Sequence, residues 1–147
     1  MLSLQNLKIV PLFVGTTTGT TLTQYTGYVD TLGFDEVVIT VTSGVTTTTT
    51  APTVMKLQEG DTTSTFADLT GAVGGTDFTI PNNATTAAAI NVPAVFHVTK
   101  TGARKRYIKC LVTPGVAGET TAIAHMARAG ELPNSTTEQN VTNSVRV

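Results

Sequence analysis

Apolar and polar residues alternate along much of the chain. In residues 34–42, Val37, Ile39 and Val41 share one side and Val38, Thr40 and Thr42 the other, the period of two of a strand with one buried face. In residues 54–59, Met55 and Leu57 alternate with Lys56 and Gln58 in the same way. The pattern predicts further strands at residues 22–29, 77–80, 87–92, 94–99, 106–113 and 120–128, separated by turn formers such as Gly60 with Asp61, Pro81 to Asn83, and Gly102. Residues 84–90 and 121–129 are alanine-rich and also fit a helical period; their surroundings favour a strand at both. Short strands spaced in this way predict an all-β fold, an antiparallel β-sandwich of jelly-roll type.

The ends depart from this alternation. Residues 7–14 are apolar but interrupted by Pro11, and GTTTGTT follows, with nothing large to pack. Residues 131–147 are polar, with Val141, Val145 and Val147 as sparse apolar points. The expected organisation is an N-terminal arm (1–21), a sandwich domain (22–130) and a C-terminal tail (131–147). Ends of this kind are either mobile tails or arms that become ordered on a neighbour that supplies the missing apolar contacts. On the second reading, Leu7, Ile9, Val10, Leu12, Phe13, Val14, Val141, Val145 and Val147 are the candidate interface residues. The threonine-rich stretch 45–51 has no apolar face and no fixed repeat, so it reads as an exposed loop or edge.

With 147 residues the chain suffices for one core, and only 13% of it is charged, about half the usual share. Threonine, about a fifth of the chain, supplies the neutral polar surface and suits pleated strands. A net charge of −1 gives no field that draws the protein to nucleic acid or an anionic membrane. Residues 7–14 match neither a secretory leader nor a membrane span, and the expectation is a soluble protein made in a reducing compartment.

Five of the nine Lys and Arg residues, Lys100, Arg104, Lys105, Arg106 and Lys109, fall in one short run. Pairing of residues 94–99 with 106–113 as a hairpin would make this run the solvated tip, with Ile108, Cys110 and Val112 inward and Lys105, Tyr107 and Lys109 outward. A nucleic-acid surface needs more aromatics among the basic residues than Tyr107 alone provides. Asp30, Asp35 and Glu36 form one acidic group and Glu59, Asp61 and Asp68 another; both lie beside turns, without the spacing of a calcium loop. His97 and His125 lie inside strands, and no GxSxG, HExxH or Walker pattern accompanies them. Cys110 is expected in the core, and the residues predict no catalytic site, metal or cofactor.

Four segments, VDTLGFDEVVITV, VMKLQEGDTTSTFADL, RKRYIKCLVTPG and TAIAHMARAGELP, occur in an order that resembles small β-sandwich proteins encoded beside the major capsid proteins of tailed phages. The resemblance covers about residues 28–133, and KLQEGDTTSTF followed by RYIKCLVTPG carries most of it. It implies a head-decoration or cement protein: a non-enzymatic homotrimer on the outer surface of the capsid, made in the host cytoplasm. Its partners would be the major capsid protein and itself, with neither nucleic acid nor membrane. A phage tail or fibre component is the alternative within that setting. A carbohydrate-binding or adhesin sandwich is the alternative outside it, although the chain has no Trp and three Tyr for a sugar platform.

Overall fold

The computed structural model describes residues 7–19, 21–83, 85–86, 93–100, 104–128 and 143–146. The predicted strand at 87–92, most of the alanine-rich segment 84–90, and Val141 and Val147 lie outside them. Among the described residues there are nine strands and no helix: β1 (Leu7–Thr17), β2 (Tyr25–Asp30), β3 (Glu36–Ser43), β4 (Val54–Gly60), β5 (Ala67–Val73), β6 (Ala94–Thr99), β7 (Tyr107–Thr113), β8 (Gly118–Ala127) and β9 (Asn143–Arg146).

They form two sheets. Sheet 1 has the order β1-β8-β3-β6-β9 and sheet 2 the order β2-β7-β4-β5. All pairings are antiparallel except β9, which lies parallel to β6. The pairs are nested: β1 with β8, β2 with β7, β3 with β6, β4 with β5. Of the connections inside this nest only β4 to β5 is a local hairpin; every other one crosses from one sheet to the other.

The alternation read from the sequence sets the layers. Val37, Ile39 and Val41 of β3 are at most 2% exposed, as are Met55 and Leu57 of β4 and Ile108, Cys110 and Val112 of β7. One row across sheet 1 runs Ala124, Ile39, Phe96, so small β8 residues stand beside bulky neighbours on the inner face. Phe96, the largest fully buried side chain, meets Phe78 edge to face at 5.4 Å. Burial of this continuous apolar layer is the main favourable term in the fold.

Four expectations are corrected. Residues 7–17 are not part of an arm: β1 pairs with β8 from Leu7↔Ala127 to Thr17↔Gly118. A bulge inserts Leu12 as an extra residue between Pro11 and Phe13, so that Val10, Leu12 and Phe13 all pack against the core, which conceals the period of two. Gly27 of β2 accepts this bulge, because a Cβ there would stand 2.3 Å from the Leu12 carbonyl oxygen. Second, β6 and β7 are not a hairpin: β6 pairs with β3 in sheet 1 and β7 with β2 and β4 in sheet 2. The basic run thus begins in a crossover between the layers. Third, residues 77–80 form no strand: a turn at 75–77 is closed by the single bridge Gly74↔Phe78, and the Asp77 carboxylate accepts from the Gly71 and Val73 amides at 3.0 and 2.9 Å. Finally, the segment 131–147 contributes the backbone of β9 to sheet 1.

Residues 118–127 are a strand, as preferred over a helix, and residues 45–51 form a loop. Within that loop Thr46 donates to the Thr48 carbonyl at 2.6 Å, and the Thr48 and Thr50 hydroxyls lie 3.0 Å apart.

Candidate functional site

The two outer faces of the sandwich carry opposite chemistry. On sheet 2 the outward positions read in rows: Asp30 beside Tyr107; Tyr28, Lys109, Gln58 and Asp68; then Thr26, Leu111 and Lys56. Tyr28 meets Tyr107 edge to face at 6.0 Å and Phe66 at 6.1 Å. Arg106 stands 5.1 Å from the Tyr107 ring centre and Lys109 5.1 Å from that of Phe66, both in cation–π range.

The charges around these rings are paired. The Arg106 guanidinium donates to both Asp30 oxygens, at 2.9 and 2.6 Å. This fork holds the Asp30 carboxyl down at about 2, against a burial effect in the other direction, and raises Arg106. Lys105 bonds Asp61 at 3.0 Å, and Arg104 approaches Glu59 at 3.8 Å. Lys56 at 2.9 Å and Gln58 at 2.7 Å both donate to Asp68 and lower its pKa. Lys100 is part-buried and donates to the Arg104 and Lys105 carbonyls; its loss of water lowers its pKa, partly offset by Glu59, Asp61 and Asp30. The basic run and the two acidic groups of the sequence are therefore largely one ion-pair system. It straps the crossover loop and β7 to the ends of β2 and β4.

Sheet 1 is different. Across β1, β8, β3 and β6 its outward rows are Ile9, His125, Val38 and His97; then Pro11, Ile123, Thr40 and Val95; then Val14, Thr121 and Thr42. On these four strands the rows hold no Asp, Glu, Lys or Arg; Arg146 of β9 is in register with His97, and Glu36 and Glu119 stand one row beyond at the two ends. Exposure is greatest along β1: Ile9 is 57% and Val14 74% exposed, while Val95 and His97 on β6 are buried. An apolar strip along a sheet edge is unusual on a surface that faces water, and is the usual mark of an adhesive one.

The candidate interface residues are thus divided. Ile9 and Val14 lie on this face, Leu7 is half-buried, and Val10, Leu12 and Phe13 pack against the protein's own core. Val145 lies in β9. Tyr28 and Phe66 escaped the sequence reading because each is a lone aromatic, far along the chain from Tyr107.

The residues considered for catalysis do not converge. Cys110 points into the core from sheet 2, where burial pushes its thiol up to about 12, whereas His97 and His125 stand on the far side of sheet 1. Such a thiol supplies no thiolate at neutral pH. Among the described residues no group of three or more His, Cys, Asp or Glu could hold a metal ion. A shallow depression beside Pro52, Thr76, Phe78 and Ile80 has Asp77 as its one charged residue, and that carboxylate is already bonded to backbone. Among the described residues no helix is long and apolar enough to cross a membrane. Comparisons with protein-family models, with curated proteins and with solved structures return no match to the chain.

Proposed function

We propose that this protein is a non-enzymatic structural component of a tailed-phage particle, a decoration or cement protein that binds the outside of the capsid as a homotrimer and stabilises it. Its partners are the major capsid protein and its own copies, and it is made in the host cytoplasm. The observation that carries the reading is the outer face of β1, β8 and β3 in sheet 1, whose three central rows hold no Asp, Glu, Lys or Arg, with Ile9 and Val14 exposed along β1. Such a face buries apolar area on contact without stripping water from charged groups. Repetition over many copies adds modest contacts into a firm attachment. The nested pairing β1·β8, β2·β7, β3·β6, β4·β5 supports reading the sandwich as a jelly roll, a compact body suited to this mechanical role.

A glycan-binding reading draws on Tyr28, Phe66 and Tyr107. Those rings meet at an angle, and Arg106 and Lys109 already lie against Tyr107 and Phe66, so they offer no flat platform.

The test is binding to heads assembled without this protein from the capsid protein encoded beside it. Ile9→Asp with Val14→Asp is expected to weaken binding at least about tenfold, or 1.4 kcal/mol. The stability of the free protein should change by less than about 1 kcal/mol, because both side chains are largely exposed. Undiminished binding of the double variant, or no binding by the unaltered protein, overturns the reading.

A further inference from the structure

We infer that the edge of β6 turned away from β3, which β9 covers, is a strand-acceptor site and that copies of this chain link by exchanging β9. Three observations lead there. First, the eight strands β1–β8 account for one another in nested pairs, and β9 stands outside that nest: its ladder is one parallel pairing over four positions, Ala94↔Asn143 to His97↔Arg146, and it also lies against β5. Second, β6 needs a cover. Its residues Ala94, Val95, Phe96, His97 and Val98 are all buried, on the inward and the outward side alike. A strand so enclosed cannot leave the peptide groups of its second edge without partners.

Third, the connection to β9 is much longer than the path it has to cover. Register places Ala127 level with Glu36 and Thr99, and Asn143 level with Ala94. The end of β8 and the start of β9 are therefore about 17 Å apart along the strands and three strand spacings, about 14 Å, across them. That is about 22 Å in a straight line, whereas the fifteen residues 128–142 between the two strands reach up to about 50 Å when extended. The surplus lets the same strand serve the β6 edge of an adjacent copy with identical hydrogen bonds, so exchange costs little beyond the entropy of association. The occupant of the β6 edge in an oligomer is then the Asn143–Arg146 strand of a second copy.

The inference is independent of binding to a shell, and its test uses the isolated protein. Val95 and Ser144 are register partners, and neighbouring strands place Cα atoms within disulfide range. Full-length Val95→Cys is mixed with full-length Ser144→Cys and oxidised with glutathione disulfide; the buried Cys110 does not compete. The expected product is a disulfide-linked heterodimer joined at 95 and 144, at no less than about ten times the yield given by Thr99→Cys with Ser144→Cys, which is out of register. Should Val95→Cys fail to fold, His97→Cys with Arg146→Cys repeats the test one register position pair further on. A bond that forms only within a chain carrying both cysteines, with no heterodimer on mixing, shows β9 to be retained by its own copy and overturns the exchange. Equal yields in and out of register, or no bond in either arrangement, overturn it as well.

Discussion

The outer faces of the two sheets are built by the same alternation and end with opposite properties. On sheet 2 the outward side chains answer one another: Arg106 with Asp30, Lys56 with Asp68, Tyr28 with Tyr107 and Phe66. On sheet 1 the three central outward rows of β1, β8 and β3 hold Ile9, Val14, Val38 and Ile123, with no formal charge in these rows to pair. A face whose groups are already engaged has little to gain from a partner. A face left apolar gains by being covered, and this difference, more than the fold, distinguishes a solvent side from an adhesive side.

The comparison presumes an intact pair of layers, and the most damaging change removes that. Phe96→Ala empties the largest fully buried site and is expected to cost about 3–5 kcal/mol, read as a lowered urea midpoint, with both faces lost together. A smaller effect separates the faces. Tyr28→Ala should lower stability by about 1 kcal/mol through its two ring contacts while leaving binding to heads unchanged. If head binding fell with Tyr28→Ala and not with Ile9→Asp, the roles of the faces would be reversed.

The least effect is expected from acid. The Asp30 carboxyl is held at about 2 by Arg106, below the unfolded value of about 4, so its contribution is complete above pH 4 and is lost as pH falls towards 2. Because the pair is open to water, the loss is at most about 1 kcal/mol. Unfolding followed from pH 5 to pH 2 should therefore show a slightly smaller acid sensitivity in Asp30→Asn than in the unaltered protein.

How much of this was legible in the sequence follows from what alternation encodes. It tells which side of a strand is buried, and so Val37, Ile39, Val41, Met55, Leu57, Ile108 and Cys110 were placed correctly. It does not tell which strand lies alongside, and so β6 and β7, close in the chain, were paired although they belong to different layers. Where the period breaks, the strand itself escapes notice. In β5 the buried Leu69 and Ala72 are three apart, across Gly71 with its φ of +89° and inside a bulge that sets residues 69–72 against Leu57 of β4, and the alternation predicts no strand there. In β1 the bulge at Leu12 had the same effect. Of the candidate surface, the sequence points to Ile9 and Val14, but Val38, Ile123 and Thr40 join them only through pairings with distant strands. The ion pairs were hidden for the same reason: Arg106 and Asp30 are 76 positions apart.

The nesting of the strands also governs how the chain reaches its shape. Only the β4–β5 turn can close locally; each further pair encloses the previous one, and the last joins residue 7 to residue 127. Loop-closure entropy rises with each enclosing pair, so assembly is expected to start at that inner turn and proceed outward, at the slow rate of high-contact-order β proteins. On the ribosome β1 emerges first and waits longest for its mate, and during that interval its apolar row is open to chaperones and to misassociation with other nascent copies.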